Sequence, residues 1–139
     1  MTTTYESNIK TISSSEEVAF NLFGNLNNLT KIAENPEITG KFGNLQLTED
    51  SCSFEIGGIG QIKFRIIERE PFKTIKFQSE NSPINFNLWI QLKQAAYNDT
   101  RLKLTLKAEI PTVIKFMIDQ KLTEGINTVA DILAKVASN

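Results

Sequence analysis

The stretch Leu102-Lys103-Leu104-Thr105-Leu106-Lys107-Ala108-Glu109-Ile110-Pro111-Thr112-Val113-Ile114-Lys115-Phe116-Met117-Ile118 contains the change of period that decides the fold. Up to Ile110, apolar residues recur at every second position, with Lys103, Thr105 and Lys107 between them. That alternation gives a strand one dry face and one wet face. Pro111 stops the strand, and Thr112 is placed to cap a helix after it. Beyond Thr112 the period is 3.6. Ile114, Ile118, Leu122, Gly125, Ile126, Val129, Ile132, Leu133 and Val136 fall on one stripe, with Gln120, Thr123, Glu124, Asn127, Asp131 and Lys135 opposite. The pattern predicts an amphipathic helix of roughly 36 Å, at about 1.5 Å per residue.

Working back from this stretch, the period of two persists. Ile84, Phe86, Leu88, Ile90 and Leu92 alternate, as do Ile75 and Phe77, then Ile62, Phe64 and Ile66, then Cys52, Phe54 and Ile56, then Leu45 and Leu47. Asn98-Asp99, Asn81-Ser82-Pro83, Pro71 and Gly57-Gly58-Ile59-Gly60 supply the turns. The doublet Ile66-Ile67 breaks its alternation and predicts a bulge. Upstream, Ser15 followed by Glu16 and Glu17 starts a short helix to Phe23. A second short helix runs over 26–34, and Pro36 and Gly40 end it. Residues 4–12 read as one opening strand. The expectation is a single α+β domain over 1–139. In it, an antiparallel sheet of about six or seven strands curves around the long helix, with two short helices after the first strand.

Composition bounds the rest. The 139 residues are 40% hydrophobic and 22% charged, with a net charge of -1. Such a chain buries a core without staples, and it lacks the basic excess that nucleic acid requires. One cysteine, Cys52, cannot form an internal disulfide. With no apolar run long enough to span a bilayer and no signal-like N-terminus, the reading is a cytoplasmic protein without stable membrane insertion. No histidine is present. This removes Ser-His-Asp and Cys-His chemistry and most metal sites, so neither a metal nor another cofactor is expected.

The order of strand, two short helices, antiparallel strands and long helix resembles the START-related, polyketide cyclase-like superfamily (SRPBCC, the helix-grip fold). The residues that carry the likeness are Ile12-Ser13-Ser14-Ser15-Glu16-Glu17-Val18-Ala19-Phe20, then Arg65-Ile66-Ile67-Glu68-Arg69-Glu70-Pro71-Phe72-Lys73-Thr74-Ile75-Lys76-Phe77, and the terminal helix. It extends over essentially the whole chain and is greatest to small bacterial members of unassigned activity. The resemblance implies a cavity between the sheet and the long helix, with an entrance near the N-terminal end of that helix. Members with known roles bind lipids, sterols, polyketides or plant hormones, and some are cyclases or hydrolase-activating co-chaperones. These motifs mark a fold and leave function open.

The candidate pocket residues are Phe54, Ile56, Phe64, Phe77, Phe86, Leu88, Ile90, Leu104 and Leu106 from the strands, and Ile118, Leu122 and Gly125 from the helix. The same residues could simply fill a core. Gly125 marks either a close approach or room for a ligand, since glycine costs a helix about 1 kcal/mol relative to alanine. Ile59, Ile84, Val113, Phe116 and Met117 are candidate rim residues, which covering loops could instead bury. Tyr5, Ser7, Thr11 and Tyr97 are the hydroxyls considered as polar anchors, each read first as structural. Cys52 reads as a buried small hydrophobe. Trp89 points outward, where a homodimer contact stays open. Lys63, Arg65, Arg69, Lys73 and Lys76 read as a solvated face interleaved with Glu68, Glu70 and Glu80.

Three functions remain. An apolar small-molecule binder requires a cavity of roughly 300 Å³ or more. A cyclase-like enzyme requires a polar cavity residue with a shifted pKa. An interaction protein requires a filled interior and an exposed apolar patch. The first is preferred and no catalytic residue is assigned, so the reading leans away from an enzyme.

Overall fold

The computed structural model describes residues 2–40 and 42–138. In chain order the strands are β1 (Thr2–Glu6), β2 (Lys10–Ile12), β3 (Gly43–Leu47), β4 (Ser51–Ile56), β5 (Gly60–Glu70), β6 (Thr74–Ser79), β7 (Asn85–Ala96) and β8 (Asp99–Glu109). Between β2 and β3 lie α1 (Glu16–Phe23), a 3-10 stretch (Leu26–Glu34) and α2 (Pro36–Thr39), and the chain ends in α3 (Thr112–Ala137). The strands form one antiparallel sheet in the order β1-β8-β7-β6-β5-β4-β3, with β2 also on β8. This is the expected meander curved around a long helix. No helix among the described residues is long and apolar enough to cross a membrane.

The opening strand differs from its expectation. β1 and β2 are two segments of one edge, separated at Ser7–Ile9. At Ser7 the side chain replaces part of the ladder: Leu104 N–H donates to Ser7 Oγ at 2.9 Å while Ser7 N–H donates to the Leu104 carbonyl. The helix count also rises by one. Pro36 begins α2 instead of only ending its predecessor, because proline fits the first turn of a helix, where its missing N–H costs nothing. The predicted 26–34 helix is present as a 3-10 stretch kinked at Leu29. The predicted cap of α3 is shifted as well. Thr112 is the first helical residue, Pro111 holds the cap position, and no side chain caps it.

Other local readings hold. Ser15 Oγ accepts from Val18 N–H at 3.1 Å at the start of α1. The β5–β6 register shifts between Ile66 and Glu68, so Ile67 turns outward while Ile66 stays buried. The basic face is solvated and paired: Lys63 and Arg65 flank Glu80, Lys73 meets Glu16, and Arg69 donates to the Gly24 carbonyl at the end of α1.

α3 is held along one edge of the sheet. Tyr5 donates to Asp119 at 2.6 Å, Asn8 N–H donates to Asn127 Oδ1 at 2.8 Å, and Ser13 N–H donates to Ser138 Oγ at 2.8 Å. These bonds fasten β1 and the segments on either side of β2 to the beginning, middle and C-terminal cap of the helix. Its buried stripe, including Ile118, Gly125, Ile126 and Leu133, then spans the concave side of the sheet.

Candidate functional site

Between that stripe and the sheet lies a cavity of about 210 Å³. Phe54 and Ile56 on β4, Phe64 on β5, Phe77 on β6, Phe86, Leu88 and Ile90 on β7, and Leu104 and Leu106 on β8 all reach its wall. The period of two puts them on one face, and the register aligns them across strands, with Leu88 opposite both Phe77 and Leu106. Ile118, Leu122 and Gly125 close it from α3. All twelve sequence-derived candidates therefore share one cavity. It is smaller than the roughly 300 Å³ expected of an apolar binder. Aromatic rings pack around it: Phe42 meets Phe54 edge-on with ring centres 4.9 Å apart, and Phe64 meets Phe54, Phe77 and Phe86 at 6.2, 5.4 and 5.8 Å.

The floor was not legible. Leu26, Leu29 and Ile32 of the 3-10 stretch, Ile38 of α2, and Phe42 also line the cavity. The stripe of Leu26, Leu29 and Ile32 was visible in the sequence, but nothing in the spacing placed it under the sheet. Gly125 has its explanation here. A Cβ at that position would lie 3.0 Å from Phe42 Cζ, so the glycine admits the ring edge against the helix.

The rim splits. Ile84 is a buried wall residue, since the Ser82–Pro83 turn folds it inward ahead of β7. Ile59 is half-buried in the β4–β5 turn. Val113, Phe116 and Met117 are not covered by loops: they are 84%, 89% and 55% exposed. Met117 lies over the β4–β5 turn, its Cε 3.3 Å from where Gly58 would carry a Cβ. Trp89 is half-buried on the outer face, with Lys76 and Lys107 ammonium groups 5.4 and 5.8 Å from its ring centre.

The polar candidates lie elsewhere. Tyr5 is spent on Asp119, and burial together with that carboxylate pushes its hydroxyl well above the usual tyrosine range. Ser7 completes the ladder, and Thr11 and Tyr97 are exposed. Cys52 is on the wall, and burial pushes its thiol up to about 12, leaving it protonated and unreactive at neutral pH. No described residue contributes an acid, a base or a polar side chain to the wall. No group of three or more metal-ligating side chains occurs among the described residues. What this arrangement can do is exclude water from an apolar guest.

No protein-family model matches the sequence, and no curated protein matches it. Solved structures do. Norcoclaurine synthase from Thalictrum flavum, in complex with dopamine and hydroxybenzaldehyde, superimposes with a TM-score of 0.72 at 12% identity, over 98% of this chain and 86% of that one. A protein of Thermus thermophilus gives 0.69 at 14% identity, over 97% of both chains. The protein XoxI from Bacillus cereus gives 0.61 at 19% identity, over 98% and 94%. Across nearly its whole length, the chain has the helix-grip fold.

Proposed function

We propose that the protein binds a small apolar molecule between its sheet and α3. The observation that carries this reading is the space of about 210 Å³ between sheet and helix with a wall free of polar groups. Water gains no partners in such a space, so an apolar guest displaces little and buries its surface. The fold supports the reading, because a structural neighbour of the same architecture holds two small aromatic molecules. Native mass spectrometry of freshly purified protein, beside a denatured control, tests it. An extra mass that disappears on denaturation is the expected result, and Gly125→Leu, which places a side chain where the Phe42 ring edge now sits, should lose it. A bare mass in every preparation, with no uptake of added hydrocarbon, would sink the proposal.

A second reading rests on one observation, the apolar patch of Val113, Phe116 and Met117 at the start of α3. It makes the protein an interaction module. Concentration-dependent association abolished by Phe116→Ser would favour it. A monomer at all concentrations would remove self-association from consideration.

A further inference from the structure

The volume and chemistry of the cavity also restrict what it takes, an inference that rests on the binding role proposed above. An apolar cavity of about 150 Å³ lined by Leu, Ile and Phe stays dry and takes up benzene, with six non-hydrogen atoms. At the same ratio, about 210 Å³ suits about eight. The wall residues are Leu, Ile, Val, Phe, Ala, Gly and the protonated Cys52. A hydroxyl, amine or carboxylate carried inside would leave its water partners without replacement. The rings lining the sheet side meet edge to face, a geometry into which another ring fits.

A second, open space adjoins this one. An open groove lies outside it, between Thr39, Gly40 and Gly43 on one side and Glu55–Gln61 on the other. Ile56 belongs to both walls. Phe42 precedes Gly43 of the groove, yet its ring lines only the cavity. The ring is wedged between Phe54 and the Gly125 backbone. The Phe42 N–H donates to the Ile38 carbonyl at 2.8 Å, and the β3–β4 register just after it is irregular between Gly43 and Gln46.

We propose that the cavity selects an uncharged, alkylbenzene-sized molecule of about eight non-hydrogen atoms, and that Phe42 sets the upper size limit from the groove side. The Phe42 ring, set against Phe54 and Gly125, is the part that must move to admit a larger guest.

Calorimetric titration with three probes tests this: ethylbenzene, 4-ethylphenol and 1-ethylnaphthalene. The wild type should bind ethylbenzene at least about tenfold more tightly than either of the others, a difference of about 1.4 kcal/mol. Phe42→Ala should close the gap to 1-ethylnaphthalene by at least about tenfold while leaving the discrimination against 4-ethylphenol in place. Phe42→Leu keeps the packing more nearly intact and should shift the size limit in the same direction. Equal affinity for all three probes, or a size preference unchanged in both variants, overturns the proposal and leaves the binding role standing. Failure of every probe to bind any of the three proteins overturns both.

Discussion

At the scale of single residues, Phe42 and Gly125 form a coupled pair. Glycine within a helix costs about 1 kcal/mol relative to alanine, yet a methyl group at 125 would press on the Phe42 ring at 3.0 Å. Gly125→Ala should therefore bring no net stabilisation in the wild type and about 1 kcal/mol in a Phe42→Ala background. Denaturant unfolding of the four proteins measures that coupling, and strict additivity would show that the two positions do not interact. Half of this pair was legible. The apolar stripe put Gly125 on the inner face of α3, and its cost marked it as exceptional. Its partner was not legible, because Phe42 stands where the period of two only begins, out of step with Leu45 and Leu47, and that start does not say where its ring goes.

At the scale of elements, strands and α3 were readable because both periods are long and regular. The connections were less so. One strand became β1 and β2 because a single hydroxyl, that of Ser7, substitutes for backbone pairing. α1 is fixed by long-range contacts that no local pattern announces. The Glu16 carboxylate accepts from Lys73 Nζ at 2.9 and 3.0 Å and from Gln94 N–H at 3.0 Å, while Glu16 N–H donates to Gln94 Oε1. The Lys73 ammonium and the Gln94 N–H hold this carboxyl below its ordinary range. A depressed folded-state pKa stabilises above the unfolded value, and the contribution is lost as pH falls through the folded one. Glu16→Gln should thus cost up to about 1 kcal/mol at neutral pH, as befits a surface pair. Chemical denaturation across pH should show the difference from the wild type fading below the ordinary carboxylate range. A constant difference would assign the effect to packing.

At the scale of the whole molecule, the hydrogen bonds from Tyr5, Asn8 and Ser13 hold α3 at one edge of the sheet. The cavity lies where helix and sheet are separated beyond that edge. Alternation named its wall, but a core and a cavity bury the same side chains, so the empty volume could not be read from the sequence. Nor could the exposure of Phe116, since an apolar first turn looks the same whether or not a loop covers it. The central claim is that an apolar guest enters this one space. A methyl-detected NMR titration with ethylbenzene tests it most directly. Saturable shifts should appear at Ile90, Leu104, Leu106, Ile118 and Leu122, which line the cavity, with Ile9 and Ile67 on the surface unmoved. Absence of shifts at the cavity methyls, or shifts confined to surface methyls, would contradict the account.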